Sequence, residues 1–145
     1  MLLEGLVGTW RLKELEMVTG DGRVSFPYGP DPVGYLAYTS DGFMFVTMRR
    51  AERPQAGTLS WLDWTPEQTG RAASGYLTYC GRYAVIDDKI EHYIEHSLLP
   101  DWVGTTKTRF AKLDGDQLFL STVPLGSTGD SHTRALLERA TRAFV

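Results

Sequence analysis

Apolar and polar positions alternate along most of this chain with the two-residue period of strands. A first strand is predicted from Leu6 to about Val18, with Trp10 and Leu12 on one face and Arg11 and Lys13 on the other. Thr19-Gly20-Asp21-Gly22 supplies a turn. Pro27, Pro30 and Pro32 follow closely, and no sheet interior accepts them, so the stretch from Ser25 reads as an ordered flap across one rim. The second strand runs from Gly34 to Thr39 and the third from Phe43 to Arg49, joined through Ser40-Asp41-Gly42. Both faces of the third strand are apolar: Met44, Val46 and Met48 against Phe43 and Phe45. Such a strand is covered on both sides, here by a helix or by a second copy of the chain.

Residues 50–64 read as a loop carrying Trp61 and Trp64. A helix is predicted from Pro66 to Gly75: Thr65 can cap it, Pro66 suits its first turn, and Gln68 completes a capping box. Its shortness requires it to pack on the rest of the molecule, across a barrel mouth. Further strands are predicted at Tyr76 to Ile86, Lys89 to Leu98, Thr105 to Leu113, Gln117 to Val123 and His132 to about Ala140, with a short extension from Thr141 to Val145. The sum is one domain over residues 1–145, all-β: an eight-stranded antiparallel up-and-down barrel with one short helix near a mouth.

A ring of strands needs a closed bottom. Gly8-Thr9-Trp10 opens the first strand and Glu138-Arg139 lies in the last. An indole can fill the narrow end, and a guanidinium from the strand that returns beside it can lie across its face.

The apolar members of each alternation, among them Trp10, Leu36, Met44, Val46, Val85, Ile90, Ile94, Leu118 and Leu120, are assigned to the interior. Parity then carries Glu14, Glu16, Tyr38, Met48, Tyr79, Tyr83, His92, His96, Lys107 and Arg109 inward, unless a bulge intervenes. The candidate ligand contacts are Tyr38, Met44, Val46, Met48, Tyr79, Tyr83, His92, Ile94 and Arg109. Tyr79, Tyr83, His92 and Arg109 form a polar patch for a carbonyl, carboxylate or phenol. For His92 a structural role and an acid–base role both stand open, with Tyr79 and Tyr83 as alternative proton donors. For Arg109 the alternatives are an ion pair with Glu14 or Glu16 and contact with an acidic ligand. His96, nearer its strand end, belongs to the rim or the surface.

Charge and composition narrow the function classes. The net charge of −3, with no run of basic residues, argues against nucleic acid. Neither a signal peptide nor a membrane span is read, and the lone cysteine, Cys80, permits a reducing compartment, so a cytoplasmic location is expected. No metal site is expected: His92 and His96 would stand about 13 Å apart on one strand, and no cysteine cluster joins them. No phosphate loop, dinucleotide fingerprint or nucleophile elbow occurs, so no cofactor is implied.

Several stretches carry a resemblance. Leu6-Val7-Gly8-Thr9-Trp10-Arg11-Leu12, the segment from Tyr28 to Gly42, Gly75-Tyr76-Leu77 with Tyr79, Gly81 and Tyr83, the segment Pro100 to Thr105 and the turn Leu113 to Leu118 occur in order. Together they resemble the bacterial and fungal lipocalin-like domain family. The last strand departs by having Leu137 where the family carries an aromatic before the Glu-Arg pair, and residues 51–64 are individual. The resemblance implies a barrel with an internal pocket, and some similar members act as isomerases or cyclases in secondary metabolism. Two functions follow as expectations: binding a small, mostly apolar or aromatic molecule, or cofactor-free isomerisation or cyclisation of such a molecule in the same cavity. The Phe43/Phe45 face and the loop tryptophans suggest a homodimer with either.

Overall fold

Turns rich in glycine, aspartate and proline cut the chain into nine strands: β1 Gly8–Val18, β2 Val24–Ser25, β3 Val33–Tyr38, β4 Phe43–Arg49, β5 Tyr76–Ile86, β6 Lys89–Ser97, β7 Thr106–Asp114, β8 Gln117–Ser121 and β9 His132–Arg139. The computed structural model describes residues 2–58 and 60–141. The predicted extension over 141–145 falls largely outside them. Each strand from β3 onward pairs antiparallel with the next, β1 pairs with β3, and β9 returns to pair with β1, Trp10 opposite Arg139. The tiny β2 pairs only with the end of β1. Eight strands therefore close an up-and-down barrel.

The two ends of the barrel are built differently. Tight turns at Thr39–Gly42, Asp87–Asp88 and Gly115–Asp116 close one end. Asp87 and Gly115 both take positive φ, 58°, there. Long connections at residues 19–32, 50–75, 98–105 and 122–131 surround the other, the mouth.

The closed end is sealed by an element the alternation does not reveal, the short helix α1, Leu2–Leu6. The chain turns out of it into β1 at Gly8, whose φ of 135° disfavours any side chain. The first strand thus starts two residues later than its pattern indicates. The buried Trp10 donates from Nε1 to Leu6 O at 2.9 Å, and the Arg139 guanidinium lies 4.3 Å from the indole centroid. Arg139 also donates to Gly5 O at 2.5 Å and Val7 O at 3.3 Å, so it ties α1 to the last strand.

Two bulges correct the parity argument. The β1–β9 register shifts between Leu12 and Glu14. Beyond it Leu15 is buried, Glu14 is exposed and Glu16 pairs outside with Arg134 at 2.6 Å. The expectation that Glu14 and Glu16 face inward is therefore overturned. On β6 the register shifts between the partners of Cys80 and Gly81, so Ile94 faces in while His96 pairs with Cys80 on the outer face and is exposed. Gly81 permits this kink: a Cβ there would meet Tyr93 O at 1.9 Å.

Helix α2, Pro66–Ser74, carries the capping box: Thr65 accepts from Gln68 N, and Gln68 Oε1 accepts from Thr65 N. It buries no residue. It is held beside the mouth, at the start of β5, by Arg53, which donates to Ala72 O at 2.7 Å. Thus it neither packs an apolar face on the barrel nor covers β4. Phe43 and Phe45 remain 36% and 49% exposed, with Arg82 over the Phe43 ring.

Candidate functional site

Residues of β1, β3–β9 and three mouth loops surround a cavity of about 500 Å³. Its walls are mainly aliphatic, with Leu12, Leu15, Leu36, Val46, Leu77, Leu120 and Leu137 around it. Pro27 and Tyr28 enter from the proline-rich connection, and Leu99 and Trp102 from the connection before β7. Trp102 follows from a short 3-10 turn, Pro100–Trp102, which aims its ring inward. Volume and composition suit one drug-sized apolar molecule.

A polar seam runs up one side of this apolar well. At its base Tyr38 is buried, with its hydroxyl 2.7 Å from His92 Nε2. Tyr79 places its hydroxyl 3.1 Å from His92 Nδ1. Trp102 meets the Tyr79 ring edge to face at 5.6 Å, and Lys107 Nζ stands 4.7 Å from the Trp102 centroid. The strand registers explain the sequence of contacts: His92 lies opposite Tyr83 on β5 and Lys107 on β7.

Burial holds His92 neutral and lowers its pKa to about 3, with the Arg109 guanidinium acting in the same direction. Burial raises the pKa of the Tyr38 and Tyr79 phenols, opposed in both by Arg109, so they keep their protons. A neutral imidazole has one donor and one acceptor. Tyr38 has His92 Nε2 as its only hydrogen-bond partner among the described residues. Its buried hydroxyl must donate there, which assigns the proton of His92 to Nδ1 and aims it at the Tyr79 oxygen. Tyr79 keeps its own hydrogen for the cavity, which it lines.

Of the residues singled out from sequence, Val46, Met48, Tyr79, His92 and Arg109 line the cavity. Tyr38, Met44, Tyr83 and Ile94 face inward but lie buried outside its lining, in the packed core. Tyr83 donates to Thr39 O at 2.7 Å, in a turn of the closed end, and not to His92. Sequence reasoning left out Trp102 and did not give Lys107 a site role. Lys107 was within reach, two residues before Arg109 on the same strand face; Trp102 sits in a loop, where period says nothing. Among the described residues no group of three or more His, Cys, Asp or Glu could hold a metal.

Comparison with known proteins agrees with the barrel fold. A family model described as a lipocalin-like domain matches residues 7–141. The chain is 36% identical over 95 residues, 59% of its length and 86% of the relative's, to the 4'-hydroxy-3'-methoxypropiophenone carrier protein ppsC of Aspergillus oryzae. A lipocalin-like protein from Bacteroides uniformis has a similar fold, with a TM-score of 0.51 at 14% identity, covering 93% of this chain and 98% of that one. An uncharacterized protein from Bacteroides eggerthii superimposes with a TM-score of 0.47 at 14% identity, over 93% of this chain and 99% of its own.

Proposed function

The chain belongs to the lipocalin-like domain family, and from that premise we propose that it binds and carries a small, mostly apolar aromatic molecule inside the barrel. The observation that carries the reading is the well itself: aliphatic walls, a sealed floor, one mouth, and a phenol hydroxyl free to donate into it. Tyr79 suits a ketone or similar acceptor, while Trp102 and the leucines hold the ring system. The relative named as the carrier of an aryl ketone supports this choice.

The isomerase or cyclase reading has less support. Both nitrogens of His92 are engaged by tyrosines, and an imidazole with a pKa near 3 is a poor base at neutral pH. Cytoplasmic location remains our proposal; no described helix is long and apolar enough to cross a membrane. A homodimer would use the uncovered Phe43/Phe45 face, and a monomeric elution volume removes it.

The test is titration with 4'-hydroxy-3'-methoxypropiophenone, followed by Trp102 quenching, then recovery and mass analysis of the compound. Saturable quenching that is absent in Trp102→Phe, with the compound returned unaltered, is expected of a carrier. A converted product would replace this reading with the enzyme one, and no quenching would remove the aryl ketone as cargo.

A further inference from the structure

We propose that the molecule held in this well carries an anionic oxygen, a carboxylate or an ionised phenol, seated between Arg109 and Lys107. The inference rests on the binding role proposed above and names the chemistry of its cargo. Among the described residues two cations line the cavity, Lys107 and Arg109, and no aspartate or glutamate does. Among the described residues Arg49, Arg50, Arg53, Lys89, Lys107, Arg109 and Lys112 have no carboxylate within ion-pair distance, and of these only Lys107 and Arg109 line the cavity. Acidic residues are not scarce: the chain has 18 against 15 basic ones.

The β1 bulge is what keeps the anions out. Without it Glu14 and Glu16 would sit on the inner face; with it Leu15 and Met17 take their place along the cavity. A cation turned into an apolar well without a partner is unfavourable unless a ligand completes it. Lys107 has partial compensation from the Trp102 face. Arg109 donates from Nη1 to Thr108 O at 3.0 Å and also stands within hydrogen-bonding reach of the Tyr79 hydroxyl, a neutral partner that leaves its charge uncompensated. Its guanidinium fork and the Tyr79 hydroxyl are all donors, and His92 between the tyrosines is neutral, so nothing on this wall repels an oxyanion. The wall offers hydrogens and positive charge, and the rest of the cavity offers hydrocarbon.

The experiment uses neutral N-phenyl-naphthylamine as the fluorescent reporter in the full chain, at low salt and about pH 8. Two matched pairs displace it: para-butylbenzoate against its methyl ester, and para-hydroxypropiophenone against its methyl ether. We expect at least one anionic member to displace at about tenfold lower concentration than its neutral partner, as charge-assisted hydrogen bonds require. The first pair reports a carboxylate, the second a phenolate. The ratio within the preferred pair should fall to about twofold or less in Arg109→Met and in Lys107→Met; a ratio is insensitive to general loss of affinity. Equal displacement in both pairs, or a preference that survives Arg109→Met with Lys107→Met together, overturns the inference while leaving the binding role intact. A reporter that never enters the wild-type barrel overturns the binding role and this inference with it. The ligand-free melting temperature gives a separate check. It should rise or hold in Arg109→Met, because an unpaired cation is removed. A fall of several degrees would mark Arg109 as a structural residue and overturn its part in the site.

Discussion

The closed end and the mouth of this barrel use the same kinds of residue for opposite purposes. Each has a tryptophan beside a cation. At the closed end Trp10 is wholly buried, its N–H is bonded, and Arg139 is held by two backbone carbonyls and, at 3.4 Å, by Asp116. At the mouth Trp102 is only half-buried, and Lys107 above it has no carboxylate partner among the described residues. The first pair is complete within the chain and stabilises it. The second is left incomplete, and what completes it must come from outside. The cation at the closed end is thus paired by the chain itself, and the cation at the mouth is not.

Substitutions can break this contrast, and the closed end should give the largest effect. Trp10→Ala removes a filled core, an indole hydrogen bond and the surface under Arg139, and should cost ~4 kcal/mol in urea unfolding. A loss below ~1 kcal/mol would mean that α1 alone seals the barrel.

Acid titration gives the next effect, on the order of a few kcal/mol. His92 has a pKa near 3 when folded against an ordinary value of 6.5. As pH falls below 6.5 the unfolded chain takes up a proton that the folded chain refuses. The contribution of neutral His92 is therefore complete above pH 6.5 and is lost progressively toward pH 3. In His92→Gln this part of the pH slope should vanish, leaving the carboxylate part; parallel stability curves for the two proteins would show that His92 is not buried neutral.

Trp102→Ala should have the smallest effect on stability, about 2 kcal/mol, because the ring packs against the core only at its edge and is partly exposed. Affinity for an aromatic ligand should nevertheless drop about tenfold, as expected for loss of a stacking surface and of the group that orients Lys107. A large stability loss with unchanged affinity would make the two ends equivalent and end the comparison.

The strand order and the turns were legible because period-two alternation and Asp-Gly punctuation are local signals. Most predicted boundaries agree with the structure to within one or two residues, and the capping box of α2 was readable letter by letter. Alternation also carried Val46, Met48, Tyr79, His92 and Arg109 to the cavity. It failed beyond each bulge, because one extra residue reverses every later side chain, and nothing local in Lys13-Glu14 announces the insertion. Gly81 was visible as a glycine, but its role depends on the partner strand kinking at Glu95, a tertiary fact. The five-residue α1 has no propensity signal of its own and exists because Trp10 and Arg139 bind its carbonyls. Trp102 was hidden for a different reason: a loop has no period from which to infer direction.

Because α1 plugs one end, the vessel has a single door. Among the described residues the way in and out runs between the four mouth connections, so the part of a ligand that enters last leaves first. Any molecule exchanged with the cavity must therefore pass those loops before it meets the polar wall behind them.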